Sequence, residues 1–139
     1  MPADRREIVT EQATSAPVAD TMAYQVATDL RALRAFVCAG ASARGLAAHR
    51  MELLALAVSE LATNTLQHTT GGGRVRLWTE AGHLVCDVID QGPTRTLGRA
   101  MPAAEAVRGR GLAIVEQVCD EVAMFSAPEG TVVRIRLEL

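Results

Sequence analysis

The residues with the clearest chemical potential lie in Ser59-Glu60-Leu61-Ala62-Thr63-Asn64-Thr65-Leu66-Gln67-His68, where an acid, an amide and an imidazole recur every fourth position. On a helix this spacing puts Glu60, Asn64 and His68 on one side. One and two turns toward the N-terminus that side carries Leu56, Ala57 and Leu53, so a polar stripe continues an apolar one. An ionised carboxylate is costly to bury alone, which suggests a pocket wall shared with a cation, a water or a ligand. A helix end whose polar side chains reach solvent accounts for the stretch equally well.

Three later stretches add polar groups in informative places. In the strand expected from His83 to Asp90, Leu84, Cys86, Val88 and Asp90 share one face, and Val85, Asp87 and Ile89 the other. Asp90 therefore ends an apolar row and faces whatever covers the sheet; a strand-end turn residue is the alternative. Arg108-Gly109-Arg110-Gly111 opens a helix striped by Leu112, Val115, Val118 and Cys119. Glycines at a helix entrance let backbone N–H groups approach a phosphate, and they also serve ordinary tight turns. The final segment alternates, with Thr131, Val133, Ile135, Leu137 and Leu139 on one face and Arg134, Arg136 and Glu138 on the other. Thr131 heads the buried row.

The elements that must position these groups follow from periodicity and punctuation. Residues 1–14 read as a polar tail with a weak edge strand at Glu7 to Gln12, and residues 15–139 as one domain. Ser15 is the expected N-cap, with Pro17 in the first turn, of a long amphipathic helix carrying Val18, Met22, Val26, Leu30, Leu33 and Val37, with Arg31 and Arg34 exposed. A second helix runs from about Ala47 to Thr69 and ends at Gly71-Gly72-Gly73. A hairpin follows, Arg74 to Thr79 and His83 to Asp90 around Glu80-Ala81-Gly82. After Gln91-Gly92-Pro93 the stretch from Thr94 to Arg108 is a long loop. The third helix, a strand from Glu121 to Ser126 and the strand from Thr131 to Leu139 complete the chain. Early helices and hairpin-linked strands imply an α+β two-layer sandwich, a mixed, mostly antiparallel sheet covered on one face by about three helices.

Composition removes several chemistries. All 14 basic residues are Arg, so mechanisms that need a phosphate-binding or Schiff-base lysine are excluded. A net charge of -2 without basic runs argues against direct nucleic-acid binding. Cys38, Cys86 and Cys119 form neither a disulfide framework nor a zinc spacing, which fits a reducing cytoplasm. No window approaches the roughly 18 apolar residues of a membrane span.

Taken in order, Glu60-Leu61-Ala62-Thr63-Asn64, Asp90-Gln91-Gly92, Gly109-Arg110-Gly111-Leu112 and Gly130-Thr131 resemble the motifs of the gyrase and histidine-kinase type (GHKL) ATPases. Within that superfamily the chain is similar to the stand-alone anti-sigma factor serine/threonine kinases. The resemblance implies a Bergerat-type ATP-binding fold with ATP and Mg²⁺ as cofactors. It implies that Asn64 is the metal ligand between the phosphates and Glu60 the residue that activates the attacking hydroxyl or water. Asp90 resembles the adenine-reading carboxylate, with Gly92 letting the base sit close and Thr131 supporting the pocket. The loop from Thr94 to Arg108 is similar to the nucleotide lid, Gly109 and Gly111 with Leu112 to the phosphate-binding turn, and Arg108 or Arg110 would add positive charge. The implied partners are a sigma factor and an anti-sigma factor antagonist protein; a homodimer is allowed. A nucleotide-binding module without catalysis, or an ATPase alone, would use the same residues.

Overall fold

The computed structural model describes residues 18–68, 71–90 and 120–139. The expected tail and edge strand at 1–14, the Ser15 cap, the 94–108 loop and the third helix lie outside them. The first described element is a strand, β1 (Asp20–Tyr24), and not the start of a helix. The first helix, α1, spans Asp29–Ala43. Val18 is 86% exposed and Val26 55% exposed, so neither belongs to the buried stripe to which the helical reading assigned it.

At the entrance to α1 the Asp29 carboxylate accepts the backbone N–H groups of Gln25 and Val26, at 2.8 and 3.1 Å, which fixes the turn out of β1. Leu33, Val37, Gly40 and Ala41 then face the core. A Cβ on Gly40 would stand 2.6 Å from Leu77 Cδ1, so the close approach of α1 to the sheet uses the missing side chain. The Arg44 guanidinium donates to the carbonyls of Gly40 and Leu77 and pairs with Asp20 at 3.0 Å, tying the end of α1 to two strands. Gly45, at φ 93°, turns the chain into α2 (Ala48–His68).

The remaining strands are β2 (Gly73–Glu80), β3 (His83–Asp90), β4 (Glu121–Ala127) and β5 (Gly130–Glu138), in the order β1-β2-β3-β5-β4. Every pairing among the described strands is antiparallel. Ala81 and Gly82 both have positive φ, the two-residue turn whose twist suits a tight hairpin. α1 and α2 pack on one sheet face over Leu54, Val58, Leu61, Val75, Leu77, Leu84, Cys86, Ile135 and Leu137, the two-layer α+β arrangement expected from the sequence. Leu139, placed in the buried row by alternation, is 47% exposed because β5 ends one residue earlier.

The opposite sheet face has its own centre. Asp87 is wholly buried there and accepts two hydrogen bonds from Arg134, at 2.8 and 2.9 Å, and a longer one from Arg76 at 3.5 Å. Arg134 also lies 5.1 Å from the ring centroids of Trp78 and of Phe125.

Candidate functional site

Register builds the site. β1 sets Tyr24 opposite Gly73, β2 sets Gly73 opposite Asp90, β3 sets Asp90 opposite Thr131, and β4 sets Ser126 opposite Thr131. One row of residues thus crosses all five strands at one end of the helix-covered face. Strand alternation carries each of them to that face, as it carries Val88 two residues before Asp90 into the core.

Tyr24 is 1% exposed, and its ring lies over Gly73. A Cβ at residue 73 would stand 2.6 Å from the phenol oxygen and 2.8 Å from Cζ, and would also collide with the Ile89 carbonyl. Glycine at this position is what lets the phenol cross from β1 toward β3. Burial pushes the Tyr24 pKa up to about 12; Thr65 opposes this in part, and the Asp90 carboxylate reinforces it.

Over this end of the sheet runs α2. Its buried face carries Leu54, Ala57, Val58, Leu61, Ala62 and Thr65. The Thr65 hydroxyl donates to the Leu61 carbonyl at 3.2 Å, and Ser59, also buried, accepts from Arg34 at 3.2 Å. Steps of four positions rotate about 40° around a helix, so Glu60 stands on the crest away from the core and Asn64 turns toward the buried face. Glu60 is accordingly exposed and Asn64 half-buried. The stripe leading to them is not a continuous buried wall, because Leu53 and Leu56 are 42% and 43% exposed. His68 is exposed in the last turn of the helix. A cleft of about 350 Å³ opens between Val26, Leu30, Thr63 and Leu66.

The expected site residues thus divide into two groups. Asp90 and Thr131 are direct neighbours, Asn64 adjoins Thr65 above the same row, and Glu60 is one turn away on the same helix. Gly92, Arg108, Gly109, Arg110, Gly111 and Leu112 lie outside the described residues. Sequence reasoning passed over Tyr24, Thr65 and Gly73. Gly73 was read only as a helix terminator, and the signal for its pairing was the hairpin register counted back from Ala81-Gly82.

Comparisons with known proteins agree with this architecture. A crystal structure of the RsbU and RsbW domains of Rv1364c from Mycobacterium tuberculosis superposes with a TM-score of 0.60 at 19% sequence identity, over 92% of this chain. The chain spans 33% of that one, and the likeness is one of fold. No curated protein matches the sequence. The family described as the histidine kinase-like ATPase domain matches residues 24–137, from Tyr24 at one edge of the sheet to Leu137 near the end of β5, and the chain belongs to that family.

Proposed function

We propose that the end of the helix-covered face is an adenine-nucleotide site, and that the chain is an ATP-dependent protein serine/threonine kinase of the anti-sigma factor type. It would phosphorylate an antagonist protein and otherwise hold a sigma factor. The observation that carries the reading is the adjacency of Asp90 and Thr131 in register, beneath the turn of α2 that presents Asn64. Membership of an ATPase domain family and the order of the four motifs support it.

In this reading the Asp90 carboxylate accepts a hydrogen bond from the exocyclic amine of adenine, which favours ATP over GTP. Thr131 offers a hydroxyl beside it. A neutral amide oxygen at Asn64 would suit a magnesium ion that keeps its waters and phosphate oxygens. When bound, magnesium neutralises charge on the phosphates. Glu60, exposed on the crest of α2, can meet a hydroxyl presented by another protein and accept its proton.

The test is incubation with labelled ATP, Mg²⁺ and candidate antagonist proteins. We expect Ser or Thr phosphorylation that falls by about 10²- to 10⁴-fold in Glu60→Gln while ATP affinity is retained. Phosphate release with no protein acceptor would instead identify an ATPase, and ATP-coupled partner binding without turnover a non-catalytic module.

A further inference from the structure

We propose that Arg34 is a positioning residue for Glu60: reaching from α1 to Ser59, it fixes the turn of α2 that aims the carboxylate at the acceptor hydroxyl. The inference rests on the phosphoryl-transfer reading above and adds to it a residue from the neighbouring helix.

Glu60 is exposed, and among the described residues its carboxylate has no hydrogen-bond or ion-pair partner. No side-chain contact steers it, so its direction is set by the backbone of α2. That backbone is held immediately before Glu60. The Arg34 guanidinium donates to the Ser59 hydroxyl at 3.2 Å, a link across 25 positions of the chain. Ser59 is 6% exposed, and the place of its oxygen depends on χ1 alone, so holding the oxygen holds the Cα closely. The Thr63 hydroxyl donates to the Ser59 carbonyl at 2.7 Å. This carbonyl belongs to the peptide unit that joins Ser59 to Glu60, and a peptide unit is planar. With the Ser59 hydroxyl tied to α1 and its carbonyl to the next turn, the Cα–Cβ direction of Glu60 has little freedom. Successive residues of a helix differ by about 100° in direction, which sets Ser59 against α1 and Glu60 out toward solvent.

The contact differs from a surface ion pair. Among the described residues no carboxylate lies within ion-pairing distance of Arg34, and this exposed arginine is turned instead to a buried neutral hydroxyl. Immobilising a long side chain costs conformational entropy that offsets much of one such bond. The link therefore counts for geometry more than for stability.

The experiment compares the full chain with Arg34→Met, Arg34→Lys, Ser59→Ala, Glu60→Gln, and Arg34→Met combined with Glu60→Gln. It follows ADP formed from labelled ATP with Mg²⁺, ATP affinity by calorimetry, and unfolding in urea. In Arg34→Met we expect turnover at saturating ATP to fall about fivefold, the equivalent of one hydrogen bond, with ATP affinity and the urea midpoint close to those of the wild type. Ser59→Ala should move turnover in the same direction, and Arg34→Lys, which keeps a donor of similar reach, should recover most of the rate. In the Glu60→Gln background Arg34→Met should remove nothing further, because the residue acts through the carboxylate. Unchanged turnover in folded Arg34→Met, or an equal loss with and without Glu60, overturns the role of Arg34 while the nucleotide reading stands. A wild type that binds ATP without turning it over removes the task assigned to Glu60 and this role with it; one that binds no adenine nucleotide overturns the nucleotide reading as well.

Discussion

Asp90 and Thr131 carry most of the argument at the scale of single residues, because a strand gives a side chain only two directions. Once each lies on a strand with an apolar row, its face is fixed, and both were legible from alternation alone. Glu60 was less legible. A four-residue spacing on a helix drifts by about 40° per step, so an acid and an amide on one side need not share an environment, and here one is exposed while the other is half-buried. The difference separates their expected phenotypes. Asn64→Ala should lose the Mg²⁺-dependent part of ATP affinity by at least the ~10- to 100-fold typical of an outer-shell partner. Titrations with and without chelator check this, and an affinity that does not respond to magnesium in either protein would remove the metal role.

At the scale of elements, the first strand is where sequence reasoning failed, and the reason is arithmetic. Val18, Met22 and Val26 lie four apart, and four is both two periods of a strand and close to one turn of a helix. Only pairing with β2 decides the matter, through Tyr24 and Gly73. The hairpin and α2 were legible because each carries its own punctuation, a two-residue turn at Ala81-Gly82 and a helix of 21 residues. The buried Asp87 was hidden for another reason. Its partners, Arg76 and Arg134, come from the strands on either side and meet it only in register. The two ends of that ion pair should respond unequally to removal. Arg134→Met leaves a fully buried carboxylate with a single long contact, costing about 3–5 kcal/mol. Asp87→Asn leaves guanidinium groups that are 30% and 34% exposed and can turn to water, costing about 1–2 kcal/mol. Urea unfolding of the two variants measures the order, and a larger loss for Asp87→Asn would refute the argument.

The whole molecule should reveal its buried protons at high pH. Tyr24 titrates at 10.0 when solvated and at about 12 in the fold, so its contribution is complete below pH 10 and is lost as pH rises through 12. The loss amounts to about 3 kcal/mol over that window. Cys86, wholly buried in the core, has its thiol pushed well above the ordinary 9.0, so its part of the decline begins about one pH unit earlier. Denaturant midpoints between pH 8 and 12 should fall in two overlapping stages; Cys86→Ala flattens the first and Tyr24→Phe the second. On the acid side the signs reverse. Backbone N–H groups of Gln25 and Val26 hold the Asp29 carboxyl below its usual 3.8, and that of Glu138 does the same for Asp120. Both favour the fold at neutral pH and lose their effect only as pH falls through those lowered values.

The single tryptophan and the single tyrosine stand on opposite faces of one sheet, Trp78 beside the guanidinium groups of Arg76 and Arg134, Tyr24 beneath α2. The protein is in effect labelled twice by its own composition. Indole emission follows events on the arginine-lined face, phenol vibrations follow events beneath the helices, and a ligand or partner can be assigned to its side of the molecule without a probe being attached.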